Sequence, residues 1–138
     1  MTCKKFKLIG LTGSTGLLGQ SLKKKLRKLD NYKLNCYKGD ITNKSQLKTW
    51  FKVNSFCYVI HLAAIVPVKK VNKNINFAKK VNIGGTKNII NEINKKKSIK
   101  WFFFSSSSHV YQFNNKEVRE TSIKKPFSIY GKTKLEAE

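Results

Sequence analysis

The sequence predicts an α/β fold in which a doubly wound parallel sheet of about four strands carries helices on its faces. Three observations support this. A glycine-rich turn joins the first apolar strand to the first amphipathic helix, short apolar runs then alternate with stretches of helical period, and 40% apolar residues over 138 positions suffice for one domain with a core.

The elements follow in order. Phe6, Leu8 and Leu11 begin an apolar strand that runs into Thr12-Gly13, and Leu17, Leu18, Leu22, Leu26 and Leu29 recur at helical spacing. Tyr32 to Tyr37 reads as a second strand. Ser45 to Val53 reads as a short helix, with Leu47, Trp50 and Phe51 on one side and Ser45 as its cap. Phe56 to Leu62 is a continuous apolar run suited to a strand covered on both faces. One long helix is expected over about Asn74 to Lys96, because Ala78, Val81, Gly85, Ile89 and Ile93 share a face at spacings of three and four. Ile99 to Ser105 is expected as a fourth buried strand, Tyr111 to Pro126 as an irregular loop, and Phe127 onward as a helix still running at Glu138. Such alternation implies right-handed crossovers and ligands at the carboxyl ends of the strands.

The formal net charge of +22 would ordinarily point to nucleic acid, but only Arg27 and Arg119 are arginine and the lysines are scattered without a stripe. Nucleic-acid binding is therefore not expected. Cys3, Cys36 and Cys57 are odd in number, lack metal-ligand spacing and lie in or beside strands. They read as small buried hydrophobes of a reducing compartment, with no metal site. No apolar run reaches the length of a membrane span and Lys4 to Leu11 is a strand rather than a signal peptide, so the expected location is the cytoplasm.

The chemistry concentrates in a few segments. In Thr12-Gly13-Ser14-Thr15-Gly16-Leu17-Leu18-Gly19 the glycines are spaced three and three between strand and helix. Gly13 suits a turn closed to other residues, Gly16 lets backbone approach a pyrophosphate, Gly19 permits close packing of helix on strand, and the helix N-terminus favours an anion. A plain glycine-rich connection is the alternative. Tyr130 and Lys134 are four apart, which places both side chains on one helix face.

These segments resemble the extended short-chain dehydrogenases and reductases, the family of nucleotide-sugar epimerases, dehydratases and reductases with Rossmann-type domains. Four further segments agree with that resemblance. Gly39-Asp40-Ile41-Thr42 resembles the stretch in which an aspartate contacts the adenine amino group and the next apolar residue packs on the ring, although Asp40 could bond the ribose instead. His61-Leu62-Ala63-Ala64 resembles the strand end where small residues run beside the cofactor, with Leu62, Ala63 and Ala64 lining it. Val81-Asn82 with Gly85-Thr86 resembles the central-helix pattern whose asparagine supports the site. Phe104-Ser105-Ser106-Ser107-Ser108-His109-Val110-Tyr111 resembles the family's serine segment, and aligning Val110-Tyr111 puts the catalytic serine at Ser107. His109 either faces substrate or has a structural partner.

The resemblance implies NAD or NADP as cofactor, cradled by Gly13, Ser14, Thr15, Gly16, Leu17 and Gly19. Cys36-Tyr37-Lys38 lacks the acid that binds a ribose 2′-hydroxyl, so Lys38 leans the choice to NADP, with a solvated surface lysine as the alternative. It further implies that Tyr130 is the acid/base for a sugar hydroxyl or carbonyl, that Lys134 favours its phenolate and bonds the nicotinamide ribose, and that Ser107 bonds the reacting oxygen. Ser108 and His109 stand where dehydratases carry an acidic pair, which leaves an epimerase or a reductase. A non-catalytic dinucleotide-binding or scaffold domain is the competing reading. The family continues through further strands and a C-terminal region that binds the nucleotide-sugar, and its dimers commonly pair helices that include the last one here, which implies a homodimer for a full-length form. Residues 1–138 therefore read as the dinucleotide-binding domain truncated within the Tyr-x-x-x-Lys helix, with little turnover expected from this chain alone.

Overall fold

The structure is a computed structural model that describes residues 6–66, 68–113 and 117–138, with the side chains of Val68 and Lys69 outside the description. Cys3 and the start of the expected strand at Lys4 therefore lie outside the described residues.

Four strands form one parallel sheet in the order β2-β1-β3-β4, with β1 at Lys7–Thr12, β2 at Tyr32–Cys36, β3 at Tyr58–His61 and β4 at Trp101–Phe104. Ile9 faces Leu34 on one side and Tyr58 on the other, while Val59 pairs Phe102. The predicted parallel sheet is thus present, and its register brings the ends of β1 and β3 level at Thr12 and His61. The chain divides into two compact units, residues 1–63 with 88–105 and residues 64–87 with 106–138.

The first unit holds the sheet. Ile9, Leu11 and Ile60 are buried with Leu22 and Leu26 of α1, Leu17–Leu26, packed against them. Leu17 is 93% exposed, and Leu18 and Leu29 are also exposed, so the expected apolar stripe of α1 shrinks to Leu22 and Leu26. The helix begins on a turn, and its first residues stand clear of the sheet. Helix α2, Lys44–Val53, is capped by Asn43, whose side chain accepts from the Gln46 amide at 3.0 Å. The expected cap at Ser45 is corrected to Asn43: both residue types cap well, and only the backbone shows which one is extended.

Trp50 of α2 packs on Tyr37, Phe51 and Phe56 with ring centroids 4.5 to 5.0 Å apart. A Cβ on Gly10 would lie 2.9 Å from the Trp50 ring, so glycine in β1 makes room for this cluster. Trp50 Nε1 donates to Asn35 Oδ1 at 2.8 Å, Asn35 Nδ2 donates to Asn54 Oδ1 at 2.9 Å, and Asn54 Nδ2 donates to the Trp50 carbonyl at 2.8 Å. This closed polar ring satisfies three groups at the edge of an apolar cluster. Strand β4 is not buried as expected: Trp101 is 51% and Phe103 41% exposed. Beside them an apolar hollow of about 330 Å³ is lined by Ile9, Leu26, Tyr32, Tyr58, Ile60 and Trp101.

The long helix expected from Asn74 to Lys96 is instead three pieces: α4 at Ile75–Lys79, a π-helical turn at Lys80–Gly85 and α5 at Thr86–Ile93. A further helix, α3 at Val68–Lys73, precedes them where the sequence showed no helical pattern. Ala78, Val81, Gly85 and Ile89 are nevertheless buried as their spacing predicted. In the second unit α3, α4 and the π turn pack against α6, Ile129–Ala137, which a 3₁₀ turn at Ser108–Val110 also contacts. Cys36 and Cys57 are free and half-buried.

Candidate active site

The glycine turn lies in the first unit. Gly13 has φ +72°, and a Cβ there would come within 2.6 Å of the Ala63 amide nitrogen and the Leu62 carbonyl carbon. Both the left-handed backbone and the close approach to β3's exit demand glycine. At Gly19 a Cβ would collide with the Gly13 carbonyl oxygen and lie 2.8 Å from Ser14 Cα, so the helix can sit on its own turn only without a side chain. Gly16 differs, because nothing comes nearer to its Cβ position than the Gly13 oxygen at 3.6 Å. The space over Gly16 is open.

No side chain caps the N-terminus of α1, a ten-residue helix, so its first amides are available to an outside acceptor. An open glycine, an uncapped helix start and a turn held against the end of β3 together fit a pyrophosphate. Ser14 is buried and Thr15 exposed, with the Thr15 carbonyl accepting from Gln20 Nε2 at 2.7 Å. Below the turn, Thr12 Oγ1 and His61 Nδ1 are 2.6 Å apart, and the Ala63 amide donates to Thr12 Oγ1 at 3.4 Å. His61 is thereby a buried structural residue that ties the ends of β1 and β3.

Leu62 and Ala63 are half-buried at the end of β3, and Ala64, also half-buried, opens the second unit. Lys38 is exposed beyond β2. Asp40 closes the turn into α2: its Oδ1 accepts from the Thr42 amide at 2.8 Å, and its carbonyl accepts from the Tyr37 hydroxyl at 3.1 Å. Burial, and then the Asp40 carboxylate, push the Tyr37 phenol above its ordinary value. Ile41 is buried in the core. The aspartate motif thus has a local folding role that its resemblance did not reveal.

Ser107, Tyr130 and Lys134 all fall in the second unit. Ser107 is extended and caps the 3₁₀ turn, its Oγ accepting from the His109 amide at 3.2 Å. Ser128 caps α6, its Oγ accepting from the Gly131 amide at 3.0 Å and lying 3.4 Å from His109 Nδ1. The His109 and Tyr130 rings meet edge to face with centroids 5.7 Å apart. A Cβ on Gly131 would strike the His109 carbonyl oxygen and lie 3.0 Å from Pro126 Cβ. Glycine in the first turn of α6 therefore lets the serine segment lie against the tyrosine helix. The Ser106 hydroxyl donates to the Glu138 carboxylate across the same pair of segments.

Asn82 sits in the π turn and is 1% exposed. Its Oδ1 accepts from the Ile65 amide at 2.7 Å, and its Nδ2 donates to Thr133 Oγ1 at 3.0 Å and to the Ile65 carbonyl at 3.4 Å. Thr133 Oγ1 donates in turn to the Tyr130 carbonyl at 2.8 Å. Asn82 thus links the segment after β3 to α6 from within the π turn. The Lys134 side chain is buried, and desolvation lowers its pKa to about 8 against a smaller opposing pull from Glu138. A lysine so poised responds to any negative charge brought beside it.

Gly131, Ser128 and Thr133 escaped sequence reasoning. Glycine inside a helix and serine just before one are signals in their own right, but neither names the partner. Among the described residues no helix is long and apolar enough to cross a membrane, and no cluster of metal-ligating side chains occurs.

Residues 7–138 match the family described as the RmlD substrate binding domain. The chain is 36% identical to the UDP-glucuronate 4-epimerase of Thermodesulfobacterium geofontis over 114 residues, covering 82% of this chain and 34% of that protein. It is 26% identical to methionine adenosyltransferase 2 subunit beta of Xenopus tropicalis, covering 93% of this chain and 40% of that one. Among solved structures, the dTDP-4-dehydrorhamnose reductase of Bacillus anthracis in complex with NADP superposes with a TM-score of 0.85 at 25% identity, covering 96% of this chain and 48% of that one. The chain spans between a third and a half of the length of these relatives. With its parallel sheet, glycine turn and serine-tyrosine-lysine set, it belongs to the RmlD substrate binding domain family, within the extended short-chain dehydrogenases and reductases.

Proposed function

We propose that this chain forms the dinucleotide-binding and acid/base part of a nucleotide-sugar epimerase or reductase. The observation that carries the reading is the meeting of the serine segment and the tyrosine helix, where His109 lies against both Tyr130 and the cap of α6 while Gly131 leaves room for its carbonyl. Tyr130 takes the proton from a sugar hydroxyl during oxidation, or returns it during carbonyl reduction. Ser107 holds the same oxygen by a hydrogen bond. Lys134 bonds the ribose, which fixes the reacting groups in place. The nicotinamide group, when bound, supplies the two-electron donor or acceptor.

Gly13, Ser14, Thr15, Gly16, Leu17 and Gly19 would hold the pyrophosphate, Asp40 and Ile41 the adenosine end, and Leu62, Ala63 and Ala64 the path between. The exposed Lys38 at the end of β2 supports NADP over NAD. A relative named as a subunit of another enzyme supports a second reading, a dinucleotide-binding domain without catalysis.

Fluorescence titration of the chain with NADPH and NADH tests the cofactor, with NADPH expected to bind more tightly and Lys38→Glu to remove that preference. Absence of binding by either would overturn the reading. Nicotinamide absorbance with a panel of nucleotide-sugars tests the chemistry, and little turnover is expected from this chain alone. Hydride transfer that persists undiminished in Tyr130→Phe would favour a different acid/base, since a positioned one contributes roughly 10²- to 10⁴-fold.

A further inference from the structure

We infer that the rings of His109, Phe113 and Phe127 form an aromatic ledge that receives the apolar face of the substrate's pyranose ring, an inference that rests on the nucleotide-sugar reading above. Phe127 is 67% and Phe113 76% exposed, although both rings are engaged with neighbours. Phe127 stacks on His109 with centroids 5.8 Å apart and planes 27° from parallel, and Phe113 meets Phe127 edge to face at 6.1 Å. Single exposed aromatics are ordinary, but three contiguous rings make a patch that calls for an occupant.

The ledge is built rather than incidental. His109 Nδ1 lies 3.4 Å from Ser128 Oγ, and this contact orients the imidazole. Phe127 immediately precedes that capping serine. Phe113 is placed by the amide of Gln112, which donates to the Ile123 carbonyl at 2.8 Å, while the Ser122 and Arg119 amides close the loop through one another's acceptors at 2.9 Å. The expected irregular loop between Tyr111 and Pro126 thus holds its described aromatic residue in a defined place.

The same His109 ring meets Tyr130 edge to face, so the ledge adjoins the phenol that exchanges a proton with substrate. A group that reacts at Tyr130 must lie within about 3 Å of its oxygen. In a nucleotide-sugar that group is on the sugar, and the base is separated from it by the length of a diphosphate. The ring that reaches the ledge is therefore the pyranose, whose faces carry C–H groups suited to an aromatic plane, as apolar walls with a few polar groups suit ligand sites generally.

The test is saturation-transfer NMR on the chain with NADP and millimolar UDP-glucose, which detects weak complexes. Transfer to the glucose ring protons is expected to exceed transfer to the uracil protons. In the double variant Phe113→Ser/Phe127→Ser the glucose signal should fall and binding weaken roughly three- to tenfold. Both rings are exposed, so an unchanged thermal midpoint is expected to accompany the loss. NADP affinity should not move. Undiminished glucose transfer in the double variant, transfer concentrated on uracil, or a parallel loss of NADP affinity would each overturn the ledge while leaving the proposed function standing. Binding of NADP without any transfer to UDP-glucose would likewise overturn the ledge, whereas absence of NADP binding would overturn the proposed function.

Discussion

The turn after β1 and the assembly around Tyr130 both depend on glycine, yet they are built by different means. Gly13 and Gly19 are required by backbone alone: a left-handed φ of +72° and helix packed onto its own turn. Around Tyr130 the fixing is done by side chains, with Asn82, Thr133, Ser128 and His109 each bonded to a neighbour far away in sequence. A backbone-built site is intolerant at one or two positions and indifferent elsewhere. A side-chain-built site spreads its dependence over many residues, each worth less.

The largest effect is expected from Gly13→Val, which adds both a disfavoured backbone conformation and a clash with Ala63 and Leu62. A loss of roughly 3–5 kcal/mol should appear in urea or thermal unfolding, and a loss under 1 kcal/mol would mean that the turn can relax. Next comes Asn82→Ala, which strips the half-buried Ile65 amide and the buried Thr133 hydroxyl of a partner, at about 2–3 kcal/mol. Gly131→Ala should cost about 1–3 kcal/mol by forcing the His109 carbonyl away. Its more telling readout is the His109 ring signal in NMR, which should shift as the contact with Tyr130 opens.

A further expected effect concerns pH. Lys134 titrates near 8 in the folded protein and near its ordinary 10.5 when unfolded. Between these values the unfolded chain binds more protons, so stability rises with pH through that window. Below about pH 8 the buried ammonium carries its full penalty. Comparing thermal midpoints of the chain and Lys134→Met from pH 7.5 to 10.5 isolates this group, since the other lysines are common to both. The unsubstituted chain should gain on the variant as pH rises, and parallel curves would contradict the burial of the ammonium.

The same contrast explains what could be read from the sequence. Gly13 and Gly19 were legible because backbone requirements leave a mark at the residue itself. The spacing of Tyr130 and Lys134 was legible because helical period places them on one face. The π turn was not: Ala78, Val81, Gly85 and Ile89 are buried at the spacing that a regular helix would also show, so apolar period does not reveal a widened turn. The cap at Asn43 lay two residues before the expected one because capping types cluster there. The apolar composition of Ile99 to Ser105 predicts a buried strand but does not say whether a second layer is present over Trp101 and Phe103.

The polar ring of Asn35, Trp50 and Asn54 gives the molecule a spectroscopic asymmetry. Its two tryptophans occupy opposite situations: the Trp50 indole is hydrogen-bonded and enclosed by Tyr37, Phe51 and Phe56, whereas the Trp101 indole is half open to solvent beside the hollow on the sheet. A collisional quencher such as acrylamide would reach the second far more readily than the first. The residual emission then reports on the helix packed against β2, and the quenched fraction reports on whatever comes to rest over β4.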